Sequence, residues 1–156
     1  MAARAARSSY EELARHLSGI GAVRREMARG LPPDCPPASA AALTLLHKYG
    51  EMRIGRLSEL MAVDMSVTSR HVSHIEERGW VERHPDPLDG RSRLLRLTGP
   101  GRRQLDVLAE ATTETLETFL SDWTDEEIAG LNGMLERLRQ SFGDSRASRP
   151  APEDTP

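Results

Sequence analysis

Between positions 65 and 97 the chain sets out hydroxyl and guanidinium groups at spacings that suit contact with a polyanion. Ser66, Ser69, Arg70 and Ser73 recur at three- and four-residue steps, which on a helix is one face. Serine hydroxyls hydrogen-bond phosphate oxygens, and a guanidinium forks onto a guanine edge or a phosphate. His74 lies at the flank of this set. Further on, Asp89-Gly90-Arg91 stands between two strand-like runs, where glycine permits a bend and an arginine extends into a minor groove. Arg83 and Arg93 are placed to hold flanking phosphates. Asp89 is a poor neighbour for phosphate, so it is expected to pair with an arginine and, with Gly90, to shape the turn. Taken alone, the serine face reads as a solvated helix surface and Asp-Gly-Arg as a charged turn. A helical reader followed at once by an arginine-tipped hairpin points instead to double-stranded DNA.

Other chemistries find little support. Cys35 is the only cysteine, which leaves no internal disulfide and no cysteine-rich metal site. In a proline-rich linker without a neighbouring cation, it reads as an incidental thiol rather than an oxidation sensor. His71 and His74 are the only close-set histidine pair, and His71 is expected to pack inward rather than bind metal. No glycine-rich phosphate loop or G-x-S-x-G elbow is present. The expectation is therefore a non-enzyme without cofactor or metal.

The elements that must position these residues can be read from periodicity and caps. Ser9 with Glu12 has the form of a capping box, and Leu13, Leu17, Ile20 and Met27 follow with helical spacing, so a helix is predicted over 9–29. Gly30 and the prolines at 32, 33, 36 and 37 end it and precede an alanine-rich helix over 38–49. Ile54, Leu57, Leu60 and Met61 mark a short helix. Asp64 caps a second, with Val72 and Ile75 as its apolar positions and Gly79 at its end. This is helix, tight turn, helix, with Thr68 and His71 also turned inward.

From Trp80 the period changes to two, and Trp80–His84 and Ser92–Leu97 flank a Pro-Asp-Pro-Leu-Asp-Gly turn, a β-hairpin. Thr98 caps a helix running to about 120. Thr124 with Glu127 caps a last helix carrying Ile128, Leu131, Leu135, Leu138 and Phe142. The fold class expected is mainly α with a small β-wing (α+β). A single unit spans 9–142: a winged-helix DNA-binding part over 38–98, dimerisation helices over 9–30 and 99–142, and disordered tails over 1–8 and 143–156. The terminal helices carry more apolar surface than so small a reader needs, which implies a homodimer.

Bulk properties bound this reading. At 156 residues, 38% apolar and 29% charged, the chain suits one soluble domain. A net charge of −3, with six arginines against six acids in 63–97, offers no global attraction to nucleic acid. That balance is the argument for a second reading, a winged-helix module that binds protein and not DNA. No apolar signal region follows Arg4 and Arg7 and no stretch is long enough to span a bilayer, so a cytoplasmic protein without membrane contact is expected.

These motifs resemble the MarR family of bacterial regulators. Asp89-Gly90-Arg91 and Leu97-Thr98 match its D-x-R wing followed by L-T, and the run from Ser69 to Arg83 looks like its recognition helix and first wing strand. The resemblance in helix order covers 9–142, and the specific motifs cover 54–98. It implies a winged helix-turn-helix whose first and last two helices form the dimer interface, and a wing arginine in the minor groove. It also implies a ligand-responsive repressor acting on a pseudo-palindromic operator, with a small-molecule effector between the dimer helices and the reading head. The turn Met61-Ala62-Val63-Asp64 carries alanine where the family usually has glycine.

Overall fold

The structure, a computed structural model, describes residues 6–143. In chain order the elements are α1 (Arg7–Arg29), α2 (Pro37–Tyr49), β1 (Met52–Arg53), α3 (Ile54–Met61), α4 (Met65–Glu77), β2 (Val81–Asp86), β3 (Asp89–Leu97), α5 (Gly99–Phe119) and α6 (Asp125–Phe142). The strands form one antiparallel sheet in the order β1-β3-β2.

Two features depart from expectation at the start of the chain. α1 begins at Arg7 with Ala6 as its N-cap, so positions 7 and 8 are helical rather than tail. The Ser9–Glu12 capping box does not form, because the Ser9 N–H already bonds to the Ala6 carbonyl at 3.1 Å within the first turn. The tail expectation over 1–5 and 144–156 lies outside the described residues. A further departure is β1, whose two residues are too few to show a period. It pairs Met52 with Leu95 and Arg53 with Leu94.

One core joins α2, α3, α4, the hairpin and the first half of α5. Leu43 and Leu46 of α2, Leu57 of α3, Val72 and Ile75 of α4, and Val81 and Leu95 of the sheet are all at or near full burial. Each such side chain contributes roughly 1.5–3 kcal/mol by leaving water. Neither α1 nor α6 has any buried residue.

Caps fix the ends that matter. Thr124 and Glu127 form the reciprocal capping box of α6. Thr98 does two jobs at 2.6 and 3.1 Å: its hydroxyl donates to the Gly79 carbonyl and accepts from the Gly101 N–H. Gly101 is buried beneath Trp80, and a methyl added there would collide with the Trp80 carbonyl oxygen. The end of the sheet, the end of α4 and the start of α5 are thus locked together.

Between α3 and α4 the chain turns at Ala62, the only non-glycine residue with positive φ among those described, at φ 55° and ψ 42°. Its N–H reaches the Glu59 carbonyl, and the Val63 N–H reaches that of Ser58. The Ser58 hydroxyl closes the turn by donating to the Val63 carbonyl at 2.6 Å. An L-residue in this left-handed region costs roughly 1–2 kcal/mol, which glycine largely escapes at some cost in unfolded-chain entropy. Ala62→Gly should therefore stabilise the fold by about 0.5–1 kcal/mol, read as a raised thermal midpoint; a lowered midpoint would contradict the strain.

Candidate nucleic-acid interface

The rotation of α4 about its axis follows from its burial pattern. Thr68, Val72 and Ile75 are the buried positions, so helical geometry turns Ser66, Arg70 and Ser73 to solvent, with Ser69 half-buried beside them. Asp64 is the N-cap by backbone position, but its side chain makes no cap bond; the Thr68 hydroxyl donates to the Asp64 carbonyl instead. His71 is half-buried, on the inward side.

His74 is placed differently from the sequence expectation of a flanking DNA contact. Its Nδ1 lies 3.2 Å from the hydroxyl of buried Ser39 on α2, and its ring stands edge-on to Trp80 at 6.2 Å. The side chain is half-buried there and fastens α4 to α2, so it is withdrawn from the serine face.

The wing is built by a turn and a bulge. Pro87 and Leu88 connect the strands, and Leu88 is 95% exposed at the tip. Pro85 pairs with Arg93 and Asp86 with Asp89, so Gly90, Arg91 and Ser92 are extra residues on β3 and loop outward. The expectation that Gly90 permits the bend is corrected here. Its φ is not positive, and an added Cβ would meet nothing within 4 Å. The bend belongs to Pro87-Leu88 and to two aspartates.

Those aspartates hold the wing in shape. Asp86, only 7% exposed, accepts the Leu88 N–H at 2.9 Å and two bonds from Arg53, from Nε at 2.8 Å and Nη2 at 2.6 Å. Asp89 accepts the Ser92 hydroxyl at 2.7 Å and the Arg91 N–H at 3.2 Å, with Arg53 at 3.5 Å. The Leu88 N–H first, then Arg53, hold the Asp86 carboxyl below the usual aspartate range. The Ser92 hydroxyl first, then the Arg91 N–H, do the same for Asp89. Arg53 and Asp86 escaped the sequence reading. The Asp-Pro step, which often opens a turn, was the available signal for Asp86.

Pairing also resolves the charge balance. Glu76 pairs with Arg83, Glu82 with Arg96, and Asp86 and Asp89 with Arg53. Arg78 pairs with Asp34 outside the segment. Arg70, Arg91 and Arg93 are exposed and in no ion pair among the described residues. Arg83, expected to hold phosphate, is thus engaged at 3.0 Å by Glu76. Surface pairs of this kind are worth little in stability, but they decide which cations remain open.

Two further features complete the geometry. A cleft of about 1020 Å³ lies between α1, α2 and α5, with Met27, Leu31, Leu105 and Leu108 among its apolar walls and Arg24, His47, Arg102 and Asp106 among its polar ones. Cys35 is fully buried; burial first and Asp34 second push its thiol up, away from the reactive thiolate. No helix among the described residues is long and apolar enough to cross a membrane.

Comparison with known proteins gives this arrangement a context. Residues 36–92 match the family described as MarR family. The chain is 30% identical over 106 residues to the uncharacterized HTH-type transcriptional regulator YsmB of Bacillus subtilis, covering 68% of this chain and 73% of that one. It is similar to the PcaV transcriptional regulator from Streptomyces coelicolor, solved in complex with its natural ligand, at 25% identity and a TM-score of 0.57, covering 92% of this chain and all of that one. A mutant MarR from E. coli, complexed with operator DNA, shares the fold at 22% identity and a TM-score of 0.61, covering 86% of this chain and 99% of that one.

Asp86→Asn keeps a turn acceptor for Leu88 but removes the ion pair with Arg53. It should speed amide exchange across 86–93 at neutral pH. Because the Asp86 pKa is lowered by folding, its contribution is present above the unfolded value of about 3.9 and is lost as pH falls through the folded value. Wing protection in the native chain should thus persist in mild acid and fade only below that range. Equal exchange rates in the two proteins at neutral pH would show that the pair does not order the wing.

Proposed function

This chain belongs to the MarR family of DNA-binding transcription regulators, and we propose that it works as a homodimer and ligand-responsive repressor on a pseudo-palindromic operator. The observation that carries the reading is the pairing pattern. Four of the six acids in 63–97 are consumed by internal arginines, Asp64 and Glu77 at the two ends of α4 being the others, which leaves Arg70, Arg91 and Arg93 open beside the hydroxyls of Ser66, Ser69 and Ser73. A locally cationic face on an anionic molecule suits a polyanion.

In this reading α4 enters the major groove, Arg70 takes a guanine edge or phosphate, and Arg91 extends into the adjacent minor groove. Arg93 and the serines hold the backbone. Arg83 and His74 contribute through Glu76 and Ser39, by holding the reader in place. The structurally similar E. coli protein is complexed with operator DNA, which supports duplex DNA as the partner.

Dimerisation is supported by the surface of the outer helices. α1 exposes Leu13, Leu17, Ile20 and Val23, and α6 exposes Leu131, Met134 and Leu135. Stripes this continuous are rarely left in water. A two-fold pair would set two copies of α4 on half-sites roughly 34–36 Å apart. The division into a reading head over 38–98 and packing helices over 9–30 and 99–142 follows from the same argument. The cleft between α1, α2 and α5 adjoins both parts, and an apolar effector with an acidic group would fit its walls. Such a ligand releases DNA only by preferring one dimer shape over the other.

The test is a gel shift on palindromic duplexes across a salt series. A dimer with ~6–10 phosphate contacts should lose roughly 10³–10⁵ in affinity between 50 and 200 mM salt. Arg91→Ala should weaken binding with the fold intact, and Arg70→Ala should also relax base preference. Full affinity in both variants would remove the assigned readers. Light scattering should give twice the chain mass at micromolar concentration, and a monomer would exclude the two-fold arrangement.

A further inference from the structure

On the side of the sheet facing α3 lies a second cleft, of about 800 Å³, bounded by Arg53, Ile54, Gly55, Arg56, Glu59, Ser92 and Arg93. Its position relates it to both readers. Gly55 lies against the first residue of α4, where an added Cβ would sit 3.7 Å from the Met65 Cε. The opposite wall, Ser92 and Arg93, directly follows Arg91 on β3. A duplex that offers one groove to α4 and the next to Arg91 must carry the intervening backbone across this cleft.

The charges there suit that passenger. Arg53 is committed to Asp86 and Asp89 and forms a fixed wall. Arg93 is in no ion pair among the described residues. Arg56 is half-buried and pairs at 2.9 Å with the exposed Glu59 one turn along α3, an interaction that solvent on the Glu59 side keeps weak and exchangeable. We propose that Arg56 and Arg93, on opposite walls of this cleft, clamp the phosphodiester backbone between the two grooves, with Glu59 holding the Arg56 guanidinium until DNA displaces it. The clamp fixes the spacing between α4 and the wing on the duplex and carries no base information. Gly55 leaves the cleft open where a larger side chain would fill it.

The inference rests on the DNA-binding reading above, and the experiment separates the two. The probe is a duplex selected from random sequence by the full-length wild-type chain. Arg56→Gln and Arg93→Gln should each lower the slope of log affinity against log salt by about one, with an unchanged ranking of single-base variants of the duplex. Arg56→Lys should restore the slope, and Glu59→Gln should raise affinity. A single neutral methylphosphonate between the grooves should weaken the wild type, cost Arg56→Gln less, and cost the double variant Arg56→Gln/Arg93→Gln nothing more. If folded Arg56→Gln and Arg93→Gln keep the wild-type slope while Arg91→Ala loses affinity, the clamp is overturned together with the Arg93 backbone contact, and the reading as a DNA-binding regulator stands. A changed base ranking in either clamp variant would also overturn it, by making that side chain a base reader. If the wild type selects no duplex at all, the functional reading falls and takes the clamp with it.

Discussion

The burial of Thr68, Val72 and Ile75 on one side of α4 is the constraint from which the rest of the reading head follows. A helix has one rotational setting that hides those three against Leu43, Leu57 and the sheet, and that setting leaves Ser66, Arg70 and Ser73 outward. The strained turn at Ala62 and the Ser58 hydroxyl that closes it serve the same end. They bring α4 back across α3 at the angle the core requires. The chemistry of the outward face is therefore a by-product of hydrophobic packing, and core substitutions on α4 would disturb it as surely as substitutions of Ser66, Arg70 or Ser73 themselves.

Electrostatics then sorts the cations. A chain with a net charge of −3 can still present a positive surface if its acids are spent on internal partners. Glu76, Glu82, Asp86 and Asp89 each hold an arginine whose geometry the fold needs, and the arginines left over are those on the outward face. The Arg53–Asp86 pair matters most, because β1 is only two residues long and this contact fastens it to the wing.

Much of this was legible in residue order. Helical spacing locates every helix among the described residues to within a few positions, Thr98 and the Thr124–Glu127 box mark caps that form, and the change of period at Trp80 locates the hairpin. What escaped had physical reasons. Two residues of strand carry no period, so β1 was invisible. The Ser9–Glu12 pattern was present without its geometry, because the helix had already begun at Arg7. The inward turn of His74 depends on Ser39, 35 residues away, and Arg53 meets Asp86 across 33. Local reading weighs a side chain by its neighbours in sequence and misses partners supplied by the fold. Gly90 misled for the opposite reason: glycine suggested the bend, but the bend needed only Pro87-Leu88 and carboxylates to stabilise it.

The Thr98 junction has a mechanical consequence. One residue there follows β3, bonds the turn after α4 and caps α5, and the crowded Gly101–Trp80 contact leaves no slack. From that pivot the regular strand runs five residues to Arg93, a lever arm of about 17 Å at ~3.3 Å per residue, with Arg91 beyond it in the bulge. A tilt of α5 by about 5° carried along that strand would move Arg93 by roughly 1.5 Å, more than a hydrogen bond tolerates. Small rotations of the long helix are thus geared up into large displacements at the far end of the hairpin.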